Sequence, residues 1–161
     1  MINRFTQYLY LLLLFIPGLS GAQSQELKFT LVNGVNGTFL GKINGITQDK
    51  NGTIWFSDQT NRRITKYDGT RMTRYQNDPR KTNSLGGIYP ECLHADSSGF
   101  IWVGFYGYGL DRFDPENNLF THYRHDPNDP NSLANDTVTA ILIDHLKNVW
   151  VATYGGLDLL D

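Results

Sequence analysis

The chain has 161 residues and three tryptophans, and each tryptophan sits in the same sequence frame. Asp49-Lys50-Asn51-Gly52-Thr53-Ile54-Trp55 is followed by Asp96-Ser97-Ser98-Gly99-Phe100-Ile101-Trp102 and then by Asp144-His145-Leu146-Lys147-Asn148-Val149-Trp150, so that Trp recurs at steps of 47 and 48. Other landmarks keep the same register. Tyr75 and Tyr123, Asp78-Pro79 and Asp126-Pro127, and Asn83-Ser84-Leu85 and Asn131-Ser132-Leu133 are each 48 apart. Later in each unit, Gly109-Leu110-Asp111-Arg112-Phe113-Asp114 matches Gly156-Leu157-Asp158-Leu159-Leu160-Asp161, with a weaker copy in Ile64-Thr65-Lys66-Tyr67-Asp68. A fixed period of this length means that one supersecondary unit is reused and buries its apolar surface against its own neighbours.

The second unit shows what one repeat contains. Four short runs, Ile88 to Ala95 (A), Phe100 to Phe105 (B), Gly109 to Phe113 (C) and Leu119 to Arg124 (D), are separated by Asp-Ser-Ser-Gly, by Gly107 and Gly109, and by Asp-Pro-Glu-Asn-Asn. These are strand and turn signals, and no helix is needed. In run B, Phe100 and Trp102 project from one face and Ile101 and Val103 from the other, so neither face is polar. A sheet apolar on both sides must be covered on both sides, and without helices the cover is neighbouring sheets of the same kind. The expected fold is all-β: a partial β-propeller of three four-stranded antiparallel blades, the last incomplete.

Composition bounds what such a chain does. With 14 Lys and Arg against 16 Asp and Glu, the net charge of -2 offers no basic excess for a polyanion, which excludes nucleic acid as a partner. The single cysteine, Cys92, allows neither an intrachain disulfide framework nor a thiolate zinc cluster, and its place in an apolar stretch predicts a core role. Arg4, the apolar run Tyr8 to Ile16, the break at Pro17-Gly18 and the small residues Ser20-Gly21-Ala22 predict an export signal over 1–22. That run is too short to span a bilayer, and apart from the signal no membrane insertion is expected. The expected organisation is a signal peptide over 1–22, an N-terminal strand and linker over 23–42, then blades over 43–87, 88–135 and 136–161. Glu26 to Val32 reads as a closing strand D without its own A, B and C.

The units resemble the two-component regulator propeller repeat, through D-x-x-G-x-x-W at Asp49, Gly52, Trp55 and at Asp96, Gly99, Trp102, its glycine-less copy at Asp144 and Trp150, and Gly-Leu-Asp with the Asn-Ser-Leu loop. The first unit departs from the pattern, with Asn61-Arg62-Arg63-Ile64 where the second has Gly107-Tyr108-Gly109-Leu110. The resemblance implies a non-catalytic periplasmic or extracellular sensor segment of a hybrid two-component system, with oligosaccharides as ligand class. It also implies the remaining propeller blades and a C-terminal signalling module as partners. The alternative expectation is a fragment of an extracellular propeller enzyme acting on polysaccharide, a lyase or glycosidase.

No catalytic set, metal site or cofactor is predicted. His94, His122, His125 and His145 are scattered, and zinc requires three or four convergent ligands. Asp126, Asn128, Asp129 and Asn131 suit a turn better than a calcium loop. The repeated Asp49, Asp96 and Asp144 suit Asx-type bonding to the backbone before each Trp. For binding, topology places the B–C and D–A connections of every blade on one face. That face is expected to gather Asp58, Arg62 and Arg63, then Tyr106 and Tyr108, then Tyr154, together with the loops Asn77 to Gly87 and Asp126 to Asp136. Tyrosines beside Arg and Asp suit sugars, which stack on aromatic rings and share hydroxyls with charged partners.

Overall fold

A computed structural model describes residues 27–32, 34 and 37–160. The predicted signal over 1–22 lies outside the described residues. The chain divides into two units, 1–31 and 32–161. Of the first unit, 27–31 are described; they form no strand, and Leu27, Phe29 and Leu31 are exposed.

The described residues of the second unit hold eleven strands in three antiparallel sheets. The first sheet is β1 (Ile43–Gln48), β2 (Ile54–Asp58), β3 (Arg63–Tyr67) and β4 (Met72–Gln76). The second is β5 (Pro90–Ala95), β6 (Ile101–Phe105), β7 (Leu110–Asp114) and β8 (Leu119–Tyr123), and the third is β9 (Val138–Ile143), β10 (Val149–Thr153) and β11 (Gly156–Leu160). In each sheet the strands pair in chain order, with strand A packed against strand A of the next sheet. This is a partial β-propeller: A strands innermost, D strands outermost. Trp55, Trp102 and Trp150 are each the second residue of strand B.

Both faces of the middle blade are covered, as its two-sided apolar pattern requires. Ile101, Val103, Phe105 and Phe113 pack toward the first blade with Trp55, Ile64 and Leu85. Trp102 and Leu110 pack toward the third with Val138, Val149 and Val151. Each of these two tryptophans stacks on the tyrosine of its own strand D, Trp55 on Tyr75 at 5.6 Å and Trp102 on Tyr123 at 5.9 Å. Near the axis the sheets approach closely: a methyl group on Gly104 would lie 2.5 Å from Val138 Cγ1 and 2.6 Å from Cys92 Sγ. Cys92 is thus a packing residue, and burial pushes its thiol pKa up to about 12.

The Asp before each tryptophan closes the A–B turn onto the indole. Asp49 accepts the N–H groups of Asn51 (2.9 Å) and Thr53 (3.0 Å) and the indole N–H of Trp55 (2.9 Å). Asp96 does the same for Gly99, Phe100 and Trp102, and Asp144 for Leu146, Asn148 and Trp150. Backbone capture follows from Asx chemistry. The bond to the indole explains the fixed spacing between Asp and Trp. The turn needs a left-handed residue, supplied by Gly52 (φ 82°) and Gly99 (φ 106°); in the third blade Lys147 occupies that conformation (φ 72°) in spite of its side chain.

Candidate functional site: the B–C turn face

The three B–C turns share one backbone pattern. The N–H of the first turn residue, Gln59, Tyr106 or Tyr154, donates to the carbonyl of Lys42, Tyr89 or Thr137, the residue before or next to the start of strand A. Gln59, Tyr106 and Tyr154 therefore stand at equivalent positions on one face. Tyr106 is 53% exposed and Tyr154 70%, and their rings meet edge to face at 6.2 Å across the seam between the second and third blades. Gly107, with φ 74°, turns the chain between Tyr106 and Tyr108. Tyr108 consequently lies toward the other seam, its ring 6.3 Å from that of Tyr89. Arg62, exposed and in the left-handed region at φ 54°, places its guanidinium 5.5 Å from the centre of the Tyr89 ring.

Asp58 and Arg63 correct the sequence expectation. Asp58 is fully buried and Arg63 nearly so, paired at 3.0 Å. Asp58 also accepts the N–H groups of Gly41 and Asn61, and Arg63 donates to the Phe39 carbonyl at 2.5 Å. With every acceptor used inside the fold, the pair holds the segment entering the first blade instead of facing a ligand. The other two blades perform the same task with the Asp of Gly-Leu-Asp. Asp111 accepts the N–H of Gly86 at 2.6 Å, and Asp158 that of Ala134 at 3.1 Å. In strand register Thr65 stands where the others have Asp, which is why the first unit needs a substitute.

The long D–A loops depart from expectation as well. Asn83 donates to the Asn118 carbonyl and accepts the N–H of Phe120, beside the C–D turn, on the opposite end of the blade. Leu85 is fully buried in the seam below the B–C turns. The loop descends between the outer strands of two blades and wedges them together rather than crowning the face. Its anchor Asp111 also meets His122 Nδ1 at 2.7 Å and Arg124 at 3.2 Å. The bond to Asp111 raises the His122 pKa, with burial opposing it. In the 126–136 loop the carboxylates of Asp126 and Asp129 take the N–H groups of Asn128 and Asn131, which is turn bonding.

One group of residues escaped the sequence reading. The pairing of strands A and B slips by one residue in every blade, at Asn44, Glu91 and Thr139. Such bulges re-aim a side chain, and here each falls beside the B–C turn. Glu91 accepts the side-chain amide of Asn44 at 2.6 Å and that of Gln59, so a carboxylate and two amides close the inner end of the face across the first seam. The signal available in the sequence was a break in the alternation at the start of strand A, visible only once the strands are aligned. Among the described residues no three of His, Cys, Asp and Glu converge as metal ligands.

Comparison with known proteins agrees with this architecture. Residues 132–155 match the family described as two component regulator propeller. The extracellular domain of a putative hybrid two component system from B. thetaiotaomicron superposes with a TM-score of 0.70 and 28% identity, over 84% of this chain and 18% of that one. PorZ, a surface component of the type-IX secretion system of Porphyromonas gingivalis, gives a TM-score of 0.63 at 16% identity over 88% of this chain and 21% of that one. Virginiamycin B lyase from Staphylococcus aureus gives 0.50 at 20% identity over 74% and 41%. The last two likenesses show the fold alone. This chain spans less than half the length of each of these three structures. No curated sequence relative matches it. Sequence period and blade topology agree with the match of residues 132–155 to the two component regulator propeller family, and the other two units resemble that repeat.

Proposed function

We propose that the chain is a ligand-sensing propeller segment of an extracellular or periplasmic two-component sensor, itself without catalytic activity, and that its ligand is an oligosaccharide bound on the B–C turn face. The observation that carries the sensor reading is the likeness to the extracellular domain of the hybrid two component system, at 28% identity and a TM-score of 0.70. The exposed tyrosines support the ligand class. Tyr106, Tyr108 and Tyr154 stand in reach of solvent on two neighbouring turns, where apolar sugar faces stack and where the amides of Asn44 and Gln59 offer hydroxyl partners.

The test is calorimetric titration of the protein with an oligosaccharide panel, comparing wild type with the double variant Tyr106→Ala, Tyr108→Ala. Weakened binding by a variant whose circular dichroism is unchanged supports the reading. Unchanged affinity moves the site off this face.

A further inference from the structure

The two seams of the turn face are chemically unlike. At the seam between the second and third blades stand Tyr106 and Tyr154, aromatic edge against aromatic face. At the seam between the first and second blades the aromatic pair Tyr89 and Tyr108 carries a guanidinium, Arg62, over the Tyr89 ring at 5.5 Å from its centre. Arg62 makes no ion pair among the described residues. The carboxylates on this side are engaged: Asp58 pairs with Arg63, and Glu91 has each oxygen occupied by an amide, one from Asn44 and one from Gln59. Gln59 in turn receives the Lys42 ammonium at 3.1 Å, which adds a second cation to the first-blade side.

A cation over an aromatic ring is attracted without using its N–H groups, and the five donors of a guanidinium fork match a carboxylate or a sulfate bidentately. Tyr106 and Tyr108 lie on one turn and point to different seams, so a single extended ligand crossing the second blade touches both subsites. Resting on the oligosaccharide reading above, we infer that the ligand is an acidic oligosaccharide. Its carboxylate or sulfate lies on Arg62 at the Tyr89–Tyr108 seam, and an adjoining uncharged ring stacks on the exposed aromatic surface of the Tyr106–Tyr154 pair.

The experiment is binding of the full chain to an array on which each acidic oligosaccharide, uronate or sulfate, stands beside its methyl-esterified or desulfated counterpart. Binding of at least one acidic member over its neutralised twin by about tenfold is expected, as for one charge-assisted pair at an exposed site. Arg62→Gln, a change at an exposed side chain, should erase that preference and leave the twin's affinity and the circular dichroism unaltered. Uronate and sulfate pairs report separately and so identify the anion. Equal binding within every pair, or a preference that survives Arg62→Gln, overturns the inference while the sugar-binding reading stands. Absence of binding to all members overturns both.

Discussion

Replacing each repeat tryptophan by alanine tests how the blades are held together. Trp55 and Trp102 are buried in seams, whereas Trp150, at the same position with the same bond to its Asp, is only half-buried, because no further blade among the described residues covers that face. A tryptophan side chain offers about 150–250 Å². At about 25 cal/mol per Å², complete burial corresponds to about 4–6 kcal/mol, and half burial to about 2–3 kcal/mol. The indole–carboxylate bond is common to all three sites and cancels in the comparison. Trp55→Ala and Trp102→Ala should therefore each cost about 2 kcal/mol more than Trp150→Ala. Urea unfolding followed by far-ultraviolet circular dichroism, repeated at several protein concentrations to separate folding from association, measures the difference. Equal costs within about 0.5 kcal/mol would refute the argument that seam packing, and not the turn bond, sets the value of the tryptophan.

Asp58→Ala should destabilise by about 3–5 kcal/mol in the same assay, since it strands the buried guanidinium of Arg63 and releases the segment entering the first blade. Because His122 binds its proton more tightly folded than unfolded, its contribution is complete below its unfolded pKa of 6.5 and fades as pH rises through the folded value; melting temperature against pH should show that fall, and His122→Phe should flatten it. Lys147→Gly should stabilise by about 1 kcal/mol, because the backbone there is left-handed, and thermal melts would show it as a rise. Cys92, with its thiol pKa pushed up to about 12 by burial, should resist iodoacetamide at pH 8 in the native protein and react readily in urea, as mass spectrometry would record.

The fold was legible because the forces that build it act at short range and repeat. Asp, turn glycine and Trp recur, and the structure places all three tryptophans at one position on one strand. Gly-Leu-Asp was recognised as a motif without its reason, which is a contact across the blade: Asp111 reaches the backbone of Gly86, 25 residues earlier, and no local pattern contains that distance. The same gap misplaced Asp58 and Arg63. In sequence they read as a charged pair on a turn, and only the incoming segment with Gly41 and the Phe39 carbonyl makes them a buried tether.

The turn face divides along the same line. Tyr106, Tyr108 and Tyr154 were visible because B–C turns of antiparallel blades emerge together, a consequence of topology alone. Their grouping by seam was not visible, since it depends on Gly107 sending two tyrosines of one turn in different directions. Glu91 was hidden for a stronger reason. A bulge shifts the side-chain period by one residue, so alternation assigns Glu91 to the wrong side, and its contacts come from Asn44 and Gln59 of the preceding blade. The bulge recurs at Asn44 and Thr139 with different side chains, so the repeat conserves the aim of that position and varies its chemistry. A propeller face built this way changes its ligand by substitution at the bulges and turn tips, while the Asp–Trp turns and Asp tethers that hold the blades stay as they are.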